Sequence, residues 1–427
     1  MSGRLLQACA RPLTGRVEVP TSKSLTNRAL IAAAVAGRGT IIDPLDCDDT
    51  RSLARALAAC GWAVSWDQQI QVGERLVPPA PVRADLGDSG TGARFMMGLL
   101  AAVPGTATVD GSARLRERPM RPLVGALENL GAAVRANDGG LPVEVNGRTL
   151  MGGELVIRPE VSSQFVSALL LAAPLMMRGL ELRVEGDLPS GPYVDLTVDV
   201  LRVFGCDVEC DPVLPVWSVP AGSLRPATIA VEGDWSAAAF FLAAVAVAGG
   251  SVTIGPLQRT SRQGDLAAVS ILEDAGLEVS WQGGGIRASG PITQPFTADL
   301  SDTPDLFPAL AAAAATVAGG SRLTGLAHLV HKESDRLTAM VENLTRLGAG
   351  LEIEDLSVKF TSTVTHRTGP PPRVDSTNDH RIAMAMAVAA LAAGPAQLDD
   401  GSCVTKSFPA FWKVWDGLLE SGSPGSQ

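Results

Sequence analysis

The pattern Leu-x-x-x-Gly-x-x-Val/Leu occurs five times at a near-constant interval, and this periodicity constrains the fold more than any other feature of the chain. The glycines are Gly61, Gly131, Gly205, Gly276 and Gly348, so successive steps are 70, 74, 71 and 72 residues. A recurring period marks a duplicated structural unit. Leu57, Leu127, Leu201, Leu272 and Leu344 each close a helix, the glycine supplies the left-handed residue that ends it, and a short apolar strand follows.

A second, Ala-rich helix precedes each motif. It is clearest at residues 237–247, which run into Gly249, Gly250 and a strand at 251–254. Equivalent helices begin near Leu25, Ala93, Phe165, Ala237, Leu306 and Ile382, giving six units with a shortened last one. Alanine loses no side-chain entropy in a helix and lets neighbouring elements approach closely. Helix, strand, helix, strand repeated six times predicts an α/β protein with helices packed on sheets. The period exceeds the roughly 20–50 residues of thin solenoids. A chain of 427 residues suffices for two domains, and three units in each puts a boundary near residues 232–234.

Polar residues collect where the Ala-rich helices start. The six starts are Thr21-Ser22-Lys23-Ser24, Asp88-Ser89-Gly90-Thr91, Ser162-Ser163-Gln164, Asp234-Trp235-Ser236, Thr303-Pro304-Asp305 and Asn378-Asp379-His380-Arg381. N-capping accounts for the Ser, Thr, Asp and Asn. It does not account for Lys23 and Arg381, because a cation at a helix N-terminus opposes the macrodipole. An anion bound at the same place would reconcile the two.

Composition narrows the partners. The net charge of −10 and the pI of about 5.0 argue against a nucleic-acid surface, while a local basic cluster still permits an anionic small molecule. Residues 1–13 contain Arg4 and Arg11 and no long apolar core, so no secretory leader is expected. The longest apolar runs, at 237–248 and 382–393, are too short to span a bilayer, and the expectation is a soluble, cytoplasmic protein. Six cysteines form no CxxC pair or disulfide framework. His328 and His331 have metal-compatible spacing, but no further ligand completes a signature, and HExxH, Walker A and a convincing GxGxxG are absent. The expectation is therefore no metal and no cofactor. The Ser/Gly/Pro-rich tail at 420–427 is expected to be disordered.

Only 35 residues are Lys or Arg, and four basic segments stand out among them: 23–28, 114–118, 331–336, and Arg381 with Lys406 beyond it. Arg suits phosphate and carboxylate because its planar fork makes paired hydrogen bonds. Arg114 and Arg116 taken alone read as a solvated helix face, and Glu333 with Arg336 as ordinary i,i+3 pairing.

Together these segments have a more specific meaning. Residues 20–30, Pro-Thr-Ser-Lys-Ser-Leu-Thr-Asn-Arg-Ala-Leu, resemble the P-G-S-K-S-x-x-N-R-A-L signature of 5-enolpyruvylshikimate-3-phosphate synthases. The resemblance continues in order through Leu86-Gly87-Asp88-Ser89-Gly90-Thr91-Gly92-Ala93-Arg94, Arg116-Glu117-Arg118-Pro119, Ser162-Ser163-Gln164-Phe165 and Ser190-Gly191-Pro192-Tyr193. It ends with Lys332-Glu333-Ser334-Asp335-Arg336, Asp379-His380-Arg381-Ile382-Ala383-Met384 and Lys406-Ser407-Phe408-Pro409. Tyr193, the only tyrosine, falls inside one of these blocks.

The resemblance implies a two-domain inside-out α/β barrel of six βαβαββ units, three per domain. Residues 1–20 with 235–427 would form one domain and 21–234 the other, with the active site in the interdomain cleft. It implies transfer of the enolpyruvyl group of phosphoenolpyruvate to the 5-hydroxyl of shikimate 3-phosphate, in the shikimate pathway to aromatic amino acids. A cytoplasmic monomer is implied, without nucleic-acid or membrane partners. By the same resemblance, Lys23, Ser24, Arg28, Ser162, Ser163, Gln164, Ser190, Tyr193, Asp305 and Lys332 hold shikimate 3-phosphate. Lys23, Gly90, Arg118, Gln164, Arg336, Arg381 and Lys406 match phosphoenolpyruvate-binding positions. Asp305, Glu333, Lys332 and Lys23 match the residues of proton transfer and leaving-group assistance.

Some positions depart from the family pattern. Thr21 stands where Gly is usual, Asp88-Ser89 for Asn-Ala, Phe95 for Pro, His328 for Asn and Val330 for Arg. Asp88 would put negative charge near an anion site, or cap its helix. A related transferase acting on UDP-N-acetylglucosamine has Asn after the first Lys and a Cys ahead of its Arg, whereas Ser24 stands here and no Cys lies between 110 and 119. A noncatalytic or RNA-end-processing relative fits poorly with the acidic pI and the retained Lys23, Asp305, Glu333 and Arg381.

Overall fold

The computed structural model describes residues 3–421 except 10, 160, 223 and 366–368, so the expected tail disorder past residue 421 lies outside the described residues. The chain forms two compact units, one of Thr21–Val231 and one of Met1–Pro20 with Glu232–Gln427. We refer to them as the inserted unit and the split unit.

Among the described residues five of the six sheets have four strands on one plan, and the sixth, of Arg4–Leu6, Ala396–Leu398 and Arg373–Val374, has three. In the simplest copy, strand Val82–Asp85 leads into helix Gly90–Ala101 and returns as the parallel strand Gly105–Asp110. After the short helix Ala113–Glu117, a longer helix, Arg121–Asn129, precedes a hairpin, Ala133–Asn137 and Gly140–Gly147, whose second strand pairs antiparallel with Gly105–Asp110. The order is βαβαββ, and it recurs around the parallel pairs Gly153–Ile157 with Leu180–Val184 and Thr297–Asp299 with Arg322–Thr324. The other sheets are completed by strands distant in sequence. Ala227–Ala230 pairs with Gly39–Ile42, Leu13–Glu18 pairs with Gly250–Gly255, and Arg4–Leu6 pairs antiparallel with Ala396–Leu398.

The five-fold motif has the same geometry in each copy. Its leucine sits two residues before the end of the second helix and is wholly buried, as for Leu57 in Asp48–Ala59 and Leu344 in Arg336–Arg346. The glycines follow with φ of +100°, +85°, +77°, +101° and +95°, a backbone region where a Cβ is disfavoured. The leucine anchors the last turn in the core and the glycine turns the chain back into the hairpin.

The Ala-rich helices lie at the centre of each unit. Trp235–Ala248 is buried at every position but Val247 and Ala248, and His380–Ala393 at every position but Ala392. A helix apolar on all sides is stable only when enclosed. In the split unit these two pack with Phe307–Ala314. In the inserted unit Lys23–Val35, Gly90–Ala101 and Gln164–Ala172 pack together in the same way. Among the described residues no helix is long and apolar enough to cross a membrane.

Candidate active site

Four of the six Ala-rich helix starts are capped by the side chains singled out above. Ser22 accepts from Leu25 N, Ser89 from Gly92 N, Asp234 from Ala237 N and Asp379 from Arg381 N. Ser89, not Asp88, is the cap of its helix. The capping reading is therefore sound, and the charged side chains are additional to it.

In the split unit those charged side chains form one connected network. Arg336, 1% exposed, is its hub: Nε donates to Asp379 Oδ2 at 2.8 Å, Nη1 to Asp305 Oδ1 at 2.7 Å, and Nη2 to Glu333. The i,i+3 pairing expected of Glu333 and Arg336 is present, but its cation is buried rather than solvated. Ser334 Oγ adds a bond to Asp379 at 3.1 Å. Lys332 Nζ lies 3.2 Å from Asp305 Oδ1. On the other side of the same carboxyl, Arg381 Nη2 lies 3.3 Å from Oδ2, and its Nη1 donates to the Asp305 carbonyl at 3.1 Å. Lys406 Nζ donates to the Asn378 carbonyl at 2.7 Å, just ahead of the Asp379 cap.

These contacts set the charge states. Burial would raise the Asp305 carboxyl, but Arg381, Lys332 and Arg336 together hold it far below the usual carboxylate range. Asp379 is likewise pulled down, burial opposing and Arg336 prevailing. Arg336, although burial opposes its charge, is raised by Asp379, Glu333 and Asp305, so it stays protonated at every accessible pH. Asp305 and Glu333 are only partly buried, with 19% and 18% side-chain exposure.

The inserted unit holds two further groupings. Arg28, buried, donates through Nε to Thr197 Oγ1 at 2.8 Å, through Nη1 to the Ser24 carbonyl at 3.0 Å, and through Nη2 to Ser167 Oγ and the Tyr193 carbonyl at 3.4 and 2.8 Å. A guanidinium has five N–H groups, so one remains for any ligand. Phe95 and Tyr193 place their ring centroids 5.4 and 5.7 Å from Arg28 Cζ, which gives the unusual Phe95 a packing role. Burial lowers Arg28 to about 10, still charged at neutral pH. Ser190, near Tyr193, takes φ +58° at the turn into helix Pro192–Val203.

The second grouping is organised by Arg94, which donates to Gln164 Oε1 and to the Pro119 carbonyl at 3.0 Å. It thereby ties the loop bearing Arg118 to the start of helix Gln164–Ala172, where Ser162 Oγ accepts from Gln164 N at 3.3 Å and Ser163 is the N-terminal flanking residue. Arg118 is buried against Gly90. Lys23, 15% exposed, pairs with Asp49 at 2.8 Å.

A family model for EPSP synthase (3-phosphoshikimate 1-carboxyvinyltransferase) matches residues 8–415. Chains named 3-phosphoshikimate 1-carboxyvinyltransferase from Methanospirillum hungatei and Syntrophobacter fumaroxidans are 36% and 39% identical to it. Those alignments cover 96% and 95% of this chain and 97% and 98% of the relatives. The solved EPSP synthase of Acinetobacter baumannii superposes with a TM-score of 0.79 at 26% identity, over 98% of both chains. This chain belongs to the EPSP synthase family.

Several residues at the family's motif positions owe their placement to partners that the motifs do not name. Asp49 supplies Lys23, and Asp305 supplies Arg381, with the counter-anion that a ligand was expected to provide. Cations at helix starts therefore did not by themselves require a bound anion. Arg94 is invisible as a positioning residue in sequence, where it reads only as part of a motif. Of the two exposed arginines near Arg118, Arg114 makes a surface i,i+3 pair with Glu117, as expected of a solvated face. Arg116 instead forks onto the buried Asp110 with two bonds of 2.8 Å.

Proposed function

We propose that this member of the family transfers the enolpyruvyl group of phosphoenolpyruvate to the 5-hydroxyl of shikimate 3-phosphate, releasing phosphate, as a step towards aromatic amino acids. The observation that carries the reading is the Asp305 carboxyl held between Lys332, Arg336 and Arg381, beside Glu333. Each substrate bears a phosphate and a carboxylate. Fixed, partly desolvated cations are what such ligands require, and they stabilise charge that develops during addition and elimination.

The roles divide by chemistry. Ser24, Arg28, Ser162, Ser163, Gln164, Ser190 and Tyr193 bind shikimate 3-phosphate, with Asp305 and Lys332 at its hydroxyls. Arg28 acts mainly by fixing the Ser24 and Tyr193 segments, since one N–H is left for the ligand. Lys23, Gly90, Arg118, Gln164, Arg336, Arg381 and Lys406 receive phosphoenolpyruvate. Addition moves the hydroxyl proton to a base and a proton to the methylene carbon; elimination then takes a proton back from the methyl group as phosphate leaves.

Asp305 is too acidic to be a base while three cations surround it. When substrate anions draw on Lys332 and Arg381, the Asp305 carboxyl loses stabilisation and its proton affinity rises, so binding prepares the base. Glu333 and Lys332 then handle the proton at carbon, and Lys23 assists the leaving phosphate.

The test is phosphate release from phosphoenolpyruvate with shikimate 3-phosphate or UDP-N-acetylglucosamine as acceptor. Turnover with the second and not the first would overturn the reading. Two further outcomes are expected. Activity survives dialysis against EDTA, because Arg and Lys supply the positive charge; loss restored by one divalent ion would contradict this. Gly90→Ala raises the phosphoenolpyruvate KM about 10-fold or more, because a Cβ there would lie 2.6 Å from Arg118 Cζ and force the buried guanidinium aside. An unchanged KM would show that Arg118 yields freely or takes no part in binding.

A further inference from the structure

Arg381 is anchored on two sides. Beyond its contacts with Asp305, its Nη1 donates to Ser236 Oγ at 2.7 Å. With an oxygen lone pair of Ser236 so occupied, its single hydroxyl proton is directed to Asp265 Oδ2, the next group in hydrogen-bond contact. Asp265 is 1% exposed and sits on the short turn Gly264–Ala267. That turn is fixed to the start of helix Trp235–Ala248 by Gln263, which accepts from Trp235 N at 3.1 Å and donates to the Gly233 carbonyl at 2.8 Å. The line Asp265, Ser236, Arg381, Asp305 is therefore built on rigid elements.

We propose that Asp265, acting through Ser236, is a positioning residue for Arg381 in the enolpyruvyl transfer. The inference rests on the functional reading above. An arginine that grips a carboxylate or phosphate with paired bonds needs its plane fixed before the ligand arrives. Asp305 gives one anchor, but substrate competes for it. The Ser236 and Asp265 anchor holds Nη1, whereas the Asp305 carboxyl meets Nη2, so a ligand that displaces the carboxyl leaves this anchor in place. Asp265 is also retained at a cost to the fold. Burial first, then the charges of Asp305 and Asp234, push it up to about 6, with Arg381 and the Ser236 bond opposing. A buried carboxylate held against its own ionisation, in contact with a group that reaches an active-site cation, is a candidate for a functional role.

The test compares Asp265→Ala, Ser236→Ala, the double variant and Asp265→Asn. Either alanine change is expected to raise the phosphoenolpyruvate KM about 10-fold and leave the shikimate 3-phosphate KM within about 2-fold. The double variant should be no worse than either single, because both cut one chain of contacts. Asp265→Asn should recover most of the loss, since its amide oxygen still accepts the Ser236 proton. A second readout is independent of turnover: phenylglyoxal modification of Arg381, followed by peptide mass spectrometry, should be several-fold faster in the alanine variants and normal in Asp265→Asn. Unchanged modification rates, or equal rises in both KM values accompanied by a lower melting temperature, overturn the proposal. Failure of the functional reading registers separately, as absence of phosphate release by the unaltered protein, while the modification rates still decide the role of Asp265.

Discussion

Arg336→Met is expected to destabilise the split unit by about 3–5 kcal/mol, the cost of removing one partner from a buried ion pair. The buried guanidinium meets Asp379, Asp305 and Glu333 at once, so its loss leaves three carboxylates short of a shared cation, with Lys332 and Arg381 still on Asp305 and His380 3.8 Å from Asp379. Methionine fills comparable volume, so the effect isolates charge from packing. Arg336→Lys should recover little, because one ammonium cannot reach Asp379 and Asp305 in the fork geometry of Nε and Nη1. Urea unfolding followed by tryptophan fluorescence measures the change, with Trp235, Trp281, Trp412 and Trp415 all in the affected unit. The pH dependence has a definite sign. Asp305 and Asp379 are depressed below 3.8, so the stability they contribute is full above that value and is lost as pH falls towards their folded values. The gap between Arg336→Met and the parent should therefore narrow below about pH 4. A gap of less than about 1 kcal/mol at neutral pH would mean that the carboxylates are solvated without Arg336.

The largest catalytic loss is expected from Glu333→Gln. A positioned acid or base contributes on the order of 10²–10⁴-fold in rate, and kcat should fall within that range while both KM values stay within a few-fold. The substitution keeps the side-chain length and an oxygen that accepts from Arg336 Nη2, so the hub of the network is preserved. Steady-state phosphate release with shikimate 3-phosphate decides it. Near-normal kcat would remove Glu333 from proton transfer and leave Lys332 and Asp305 to perform it.

Much of the architecture was legible because it depends on local rules repeated many times. A buried leucine and a left-handed glycine are needed wherever a helix turns into a hairpin, so Leu57 with Gly61 and its four counterparts mark the units directly. Ser22, Ser89, Asp234 and Asp379 were legible as caps for the same reason. Charge partners distant in sequence were not. Lys23 meets Asp49 across 26 positions and Arg336 meets Asp379 across 43, and neither helix period nor strand alternation encodes such a pairing. Asp379 looked like a cap alone, and it is also the carboxylate that fixes the hub. Phe95 looked like a departure from a motif, and it packs against Arg28. Asp265 lies in none of the quoted motifs; only the contact of Ser236 with Arg381 brings it into view.

The strands that complete the sheets from afar also impose a timetable on synthesis. All described strands of the inserted unit, from Gly39–Ile42 to Ala227–Ala230, leave the ribosome in one uninterrupted stretch, so that unit acquires its partners before Gly250–Gly255 appears. Leu13–Glu18 emerges earlier yet has no sheet to join until Gly250–Gly255 follows, and Arg4–Leu6 waits for Ala396–Leu398. Domains generally fold as units while the chain lengthens. The nascent protein therefore carries two unpaired N-terminal strands past a finished unit, and the residues around Asp305, Arg336 and Arg381 gain their sheets only after that unit is complete.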